Sequence, residues 1–338
     1  MSDLQHYDID VGGESLHVTS LGKGPPVVFC HGFPGLSYSW RYQMPAIAAS
    51  GRRAIAVDQR GFGRSSRPTD PALYDANYVM ADMLAVLDFF EEAAAVFVGH
   101  DFGAQQVCNL AVRHPERVAG VVVMSCPYDY DLAGRYGQGL AAKTRPTEIF
   151  AEVAKKHFFH MNYFQLIGPP ERELGARPAE FLQRLFWALS GEGSYSDYVN
   201  HPSEGRGYLD ILPPAPPLPW PWMSEQEFDH YLTEFMRRGP DLAFIGGLNL
   251  YRNADRNWEL GEAFAEADIL RPALFISGAR DIVLQMIAPD ALDVMRRRVP
   301  DLRGVEIIEG AGHFVQMERP EAVNQALLNF LGGLKGYA

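Results

Sequence analysis

Four short apolar runs early in the chain restrict what it can fold into. They are Pro26-Val27-Val28-Phe29-Cys30, Arg53-Ala54-Ile55-Ala56-Val57, Ala95-Val96-Phe97-Val98-Gly99 and Val118-Ala119-Gly120-Val121-Val122-Val123-Met124. A strand that is apolar at nearly every position must be buried on both faces, as in a parallel sheet covered by helices. Between the runs lie helical patterns, Tyr78 to Glu91 and Ala104 to Arg113, the second ending before Pro115. Strands alternating with helices predict a doubly wound, mostly parallel α/β sheet. Tyr7 to Thr19 reads as an antiparallel hairpin turning at Gly12-Gly13.

The strand runs stop at about residue 131. Helical stretches follow at Thr147 to His160, Pro178 to Ser190 and Ser224 to Arg238, joined by Gly- and Pro-rich connectors. Pro213 to Trp222 reads as a stiff connector within this segment. From Pro272 strand texture returns, at Ala273 to Ser277 and Val305 to Ile308, before a closing helix from Arg319 to Leu331. The expected organisation is an α/β core in two parts, 1–130 and 256–338, interrupted by a helical insertion over 131–255.

Composition narrows the partners. Lys plus Arg number 30 against 42 Asp plus Glu, a net charge of −12. Such a surface repels phosphate backbones, which argues against nucleic acid and against a polybasic membrane anchor. Cys30, Cys108 and Cys126 each sit in an apolar run and read as small buried hydrophobes, which suits a reducing, cytoplasmic setting. No CxxC or HxxxH spacing suggests a metal. The N-terminus lacks the basic and apolar regions of a signal peptide, and the apolar run Val118 to Cys126 is far too short to span a bilayer.

Gly99-His100-Asp101-Phe102-Gly103 lies where a buried strand should turn sharply into a helix. In the G-x-S-x-G elbow that turn lifts the central side chain above the sheet; here the central residue is Asp101. A carboxylate nucleophile displaces at a saturated carbon and leaves an ester on the enzyme. This chemistry suits epoxides and alkyl halides. Hydrolysing the ester needs a base. His313, in the Gly310-Ala311-Gly312-His313-Phe314 loop after the last strand, is the candidate. Asp281 follows the strand ending at Ser277 and completes the chain order nucleophile, acid, His; Asp129 is the second choice for the acid. His31-Gly32-Phe33-Pro34 follows the strand ending at Cys30, so the amides of Phe33 and Phe102 are candidate oxyanion donors. Pro34 suits a cis bond. His31 and His100 read as structural hydrogen-bonders beside the site.

Together HGFPG at 31–35, DQRGFGRSSRP at 58–68, GHDFG at 99–103, SGARDIV at 277–283 and GAGHFVQMERPE at 310–321 resemble the α/β-hydrolase superfamily, and within it the epoxide hydrolases. The resemblance covers nearly the whole chain and implies that the insertion is a cap over the site. It also implies two cap tyrosines that bind the epoxide oxygen. The stretch His160 to Gln165 looks like the first motif, and Phe228 to Phe235 followed by Leu248 to Asn253 looks like the second, which points to Tyr163 and Tyr231, with Tyr251 read as packing. Phe102 stands where the family often carries Trp, so a side-chain N–H is lost there. Dehalogenase relatives hold halide or carboxylate with such donors, which Phe33 and Phe102 cannot supply.

The implied reaction is hydrolysis of a small apolar epoxide to a vicinal diol with water, needing no metal or organic cofactor. A dehalogenase with the same Asp-His-Asp set is the nearest alternative, then an esterase or lactonase, then a non-catalytic ligand-binding relative. Trp187, Trp220, Trp222, Phe33 and Phe102 are expected as cavity walls. A homodimer is left open.

Overall fold

The strands form one sheet of eight. In the computed structural model, which describes residues 4–128, 144–195, 200–287 and 289–334, they are β1 Gln5–Asp10, β2 Ser15–Leu21, β3 Pro26–Cys30, β4 Arg53–Asp58, β5 Ala95–His100, β6 Val118–Met124, β7 Ala273–Gly278 and β8 Leu302–Ile308. Their order across the sheet is β1-β2-β4-β3-β5-β6-β7-β8. The β1–β2 and β2–β4 pairs are antiparallel, and every pair from β4 to β8 is parallel. Gly12 and Gly13 turn the β1–β2 hairpin with φ of +77° and +92°, values that suit two glycines and few other residues.

Alternating side chains of each central strand enter different cores, as a period of two demands. Val28 and Cys30 of β3, with Ala95 and Phe97 of β5, pack on one face against the helices Ala76–Phe89, Phe102–Arg113 and Ala291–Arg298. Val27 and Phe29, with Val96 and Val98, pack on the other against Gln43–Ala49 and Pro320–Gly332. Burial of both faces is why these strands are apolar throughout. The run expected at Val305 to Ile308 begins earlier, at Leu302, and is half-exposed. As an edge strand it has one covered flank, which tolerates Arg303 and Glu306.

The crossover from β3 to β4 runs toward one edge of the sheet, and the next, to β5, returns past β3. The crevice beyond the carboxyl ends of β3 and β5 is thus a topological switch point, where open α/β sheets hold their ligands.

Between β6 and β7 the described residues form helices and connectors, with one isolated bridge between Trp220 and Met223. The helices are Pro146–Ala154, His160–Tyr163, Pro169–Ala176, Pro178–Leu189, Glu225–Met236, Ile245–Arg252 and Ala254–Gly261. Ser224 caps the fifth: its Oγ accepts from the Glu227 amide at 3.2 Å while Glu227 accepts from the Ser224 amide at 2.8 Å. The single helix expected from Thr147 to His160 is instead broken before His160. Phe159 adopts φ −136° and ψ 110°, and extended backbone sends adjacent side chains to opposite sides. Phe159 packs on Phe150 while Phe158 packs on Tyr163 and Tyr208. No helix among the described residues is long and apolar enough to cross a membrane.

Candidate active site

Asp101 stands between β5 and the helix Phe102–Arg113, with φ +57° and ψ −120°. A positive φ is costly for a residue with a Cβ, by about 1–3 kcal/mol, and the surrounding contacts must hold it. Glycines make the tight turn feasible: a Cβ on Gly103 would collide with the Cys30 carbonyl, and one on Gly32 with the Asp101 carboxylate itself. The Phe33 amide donates to Asp101 Oδ1 at 3.0 Å, and the Phe102 amide donates to the same carboxylate.

His313 faces the other oxygen, with Nε2 3.7 Å from Asp101 Oδ2. Its Nδ1 lies 3.1 Å from Asp281 Oδ1. Asp281 is fully buried and accepts further from the Val283 amide at 3.0 Å, from Ser277 Oγ at 3.2 Å and from Ser125. Burial pushes the Asp101 carboxyl above its ordinary range, against the opposing pull of His313 and the two amides. Burial also opposes the charge on Asp281, but His313 and the hydrogen bonds outweigh it and hold that carboxyl below its ordinary value. For His313 burial is likewise outweighed, by Asp281 first and Asp101 after, so its pKa is raised.

The His313 loop is tied to the insertion. Its amide donates to the Leu189 carbonyl at 2.9 Å. Glu318, a residue the sequence reading passes over, accepts from the amides of Gly191 at 2.8 Å, Gly312 at 3.0 Å and Phe314 at 3.1 Å. It sits one turn after His313, within a quoted motif, but the partners that define its task are brought in by the fold.

His100 and His31, the other two histidines singled out in the sequence, are engaged by backbone groups. His100 Nε2 donates to the His313 carbonyl at 2.7 Å, and burial lowers its pKa to about 3. His31 Nδ1 donates to the Gly32 carbonyl at 2.7 Å and Nε2 accepts from the Gln59 amide at 3.1 Å, so neither nitrogen is left for a substrate. Neither His31 nor Pro34 lines the cavity beside Asp101; the Phe33–Pro34 bond is cis, as the sequence suggests. Asp129 lies outside the described residues.

A cavity of about 160 Å³ opens above Asp101. Core residues Phe33, Phe102, Ile282 and His313 meet insertion residues Phe150, His160, Phe164, Leu185, Tyr195, Tyr208, Leu250 and Tyr251 around it. Trp187, Trp220 and Trp222, expected as walls, are absent from this lining; they pack on one another, Trp187 to Trp220 at 5.2 Å and Trp220 to Trp222 at 5.3 Å between ring centres. Among the described residues no Arg or Lys lines it.

The tyrosines depart most from expectation. Tyr163 is not on the cavity: its hydroxyl donates to Glu173 Oε2 at 2.7 Å. Tyr231 is fully buried elsewhere, its hydroxyl 2.8 Å from Ser39 Oγ and 3.0 Å from Met317 Sδ. The phenols on the cavity belong to Tyr195, Tyr208 and Tyr251. Tyr251, read from sequence as packing, sets its ring edge-on to Phe102, 4.8 Å between centres. Tyr251 lies in the Leu248 to Asn253 stretch quoted from the sequence, but its helix, Ile245–Arg252, and so the face on which it falls, is not read there.

Comparisons with known proteins bear on this arrangement. Residues 25–162 match the family described as alpha/beta hydrolase fold. The chain is 40% identical over 331 residues to Epoxide hydrolase A of Mycobacterium tuberculosis, covering 97% of each. It is 36% identical to an Epoxide hydrolase of Caballeronia sordidicola, covering 97% of this chain and 94% of that one. Among solved structures, Epoxide Hydrolase A from Mycobacterium thermoresistibile superposes with a TM-score of 0.87 at 40% identity, over 98% of this chain and 99% of that one. An epoxide hydrolase from an endophytic Streptomyces gives 0.88 at 37% identity, over 98% and 96%.

Proposed function

The chain belongs to the epoxide hydrolase family of the α/β-hydrolase superfamily and hydrolyses epoxides, and from that premise we propose that it does so through a covalent ester on Asp101. The observation that carries the reading is the pairing of the two carboxylate oxygens with different partners. Oδ1 is engaged by the Phe33 amide at 3.0 Å, whereas Oδ2 faces His313 Nε2 at 3.7 Å. Oδ2 attacks an epoxide carbon and the carbon–oxygen bond of the ring breaks. The departing oxygen takes a proton from the Tyr251 phenol.

In the second half His313 Nε2 accepts a proton from a water as that water attacks the Asp101 carboxyl carbon. Oδ1 becomes the oxyanion, held by the Phe33 and Phe102 amides. Asp281 stabilises the imidazolium. Collapse of the intermediate expels the second diol oxygen, which takes the proton from His313. The new carboxylic acid returns its proton through solvent to Tyr251. Atoms balance to epoxide plus water giving diol. The largely apolar lining, which among the described residues includes no Arg or Lys, suits an uncharged, apolar epoxide.

Within this reading residues 131–255 act as a cap that contributes Tyr251 and most of the upper wall. Cys30, Cys108 and Cys126 are all buried, which suits a reducing, cytoplasmic setting. The reading is tested with the His313→Gln enzyme and styrene oxide. Intact mass should rise by one epoxide, with the adduct on the Asp101 peptide. An unmodified His313→Gln enzyme, under conditions where the wild type makes diol, would contradict it.

A further inference from the structure

The reading above uses one donor, Tyr251, for the epoxide oxygen, and leaves a connected polar group on the same cavity without a task. His160 opens the short helix His160–Tyr163, placed there by the extended Phe159, and its ring lines the cavity together with Tyr195, Tyr208 and Tyr251. Its Nδ1 lies 3.3 Å from Tyr195 Oη, and Tyr195 Oη lies 2.7 Å from Tyr208 Oη. The His160 ring stands edge-on to that of Tyr251, 5.6 Å between centres, and stacks on that of Tyr208 at 5.6 Å. Nε2 has no hydrogen-bond partner among the described residues.

Acid–base order sets the direction of this chain. A phenol, with a pKa near 10, is a stronger acid than the N–H of neutral imidazole, and imidazole nitrogen is a stronger base than phenol oxygen. Tyr195 therefore donates to His160 Nδ1 and in turn accepts from Tyr208. With Nδ1 an acceptor, a neutral ring must carry its proton on Nε2. Burial lowers the pKa of His160 to about 4, which keeps the ring neutral in ordinary buffers.

We propose that His160 is a second catalytic residue of ring opening. Its Nε2–H binds the epoxide oxygen beside the Tyr251 phenol, and the Tyr208–Tyr195 pair holds it in that tautomer. The proton transferred to the oxygen still comes from Tyr251; His160 donates a hydrogen bond to the developing alkoxide and keeps its own proton. The inference rests on the covalent reading of Asp101.

The experiment uses the His313→Gln enzyme, in which the ester accumulates, and follows adduct formation with styrene oxide by rapid quench and intact mass. Adding His160→Phe should slow alkylation by about 10- to 100-fold. Adding His160→Gln, whose amide can still donate, should restore part of that loss. Tyr195→Phe, which keeps the ring but not the hydroxyl, should also slow alkylation. It guards against a folding defect in the His160 variants. Alkylation of His160→Phe or of Tyr195→Phe at the parent rate would overturn the inference while leaving the covalent reading intact. Absence of an adduct in the parent would overturn both.

Discussion

His313 Nε2 stops 3.7 Å from Asp101 Oδ2, beyond hydrogen-bond reach. The carboxylate keeps one lone-pair face toward the cavity, and the imidazole is left to meet a water instead of Asp101 itself. The Asp281 contact to Nδ1 at 3.1 Å fixes which nitrogen points there. The two halves of the proposed reaction are thereby divided between two groups, Asp101 for displacement and His313 for hydrolysis.

That division makes Asp101→Asn a test of stability as well as activity. Turnover should be lost. Because burial raises the folded-state pKa of Asp101, its ionisation weakens the fold once pH exceeds the unfolded pKa. Removing the charge should therefore raise the melting temperature at neutral pH and have less effect in acid. Thermal denaturation of the two proteins across pH checks both statements.

Ester hydrolysis needs His313 neutral, so its rate should fall as pH drops through the His313 pKa. That value is raised above the ordinary imidazole value of 6.5. In the ester Asp101 is uncharged, which leaves Asp281 as the principal cause of the increase. Asp281→Asn should move the acid limb of the hydrolysis step to lower pH and cut its plateau by about 10²- to 10⁴-fold. Single-turnover decay of the adduct against pH measures both.

Glu318 should matter more for architecture than its distance from the chemistry suggests. Glu318→Ala leaves three amides, those of Gly191, Gly312 and Phe314, without their acceptor. At about 1–3 kcal/mol for each buried group left unsatisfied, the loss should be several kcal/mol unless water enters. Urea denaturation should show the destabilisation, and the surviving folded enzyme should hydrolyse its ester more slowly than it forms it.

The tyrosines separate by position. Tyr251→Phe should slow alkylation by about 10²-fold or more. Tyr163→Phe and Tyr231→Phe should leave alkylation within a few-fold of wild type, since those hydroxyls are engaged by Glu173 and by Ser39. Rapid-quench rates in the His313→Gln background give the comparison.

The sheet was legible because its central strands are buried on both faces and helices such as Phe102–Arg113 stop just before a proline, all local signals. That Asp101, His313 and Asp281 come together was legible because each follows a strand, and the ends of parallel strands converge. The placement of the tyrosines was not. Their direction depends on helix faces set by contacts far apart in sequence. Tyr163 lies only three residues beyond His160, yet one faces Glu173 and the other the cavity. The non-helical stretch Lys155 to Phe159 that decides this ends on two buried rings with opposite partners, which no spacing rule registers. Glu318 and the Tyr208–Tyr195–His160 chain were missed for the same reason.

The central claim is the ester on Asp101, and a single turnover in heavy-oxygen water with enzyme in excess tests it most directly. The account predicts a first-turnover diol free of label and one heavy oxygen in the peptide containing Asp101. Label in that diol, with Asp101 unlabelled, would mean that water attacks the epoxide directly and would contradict it.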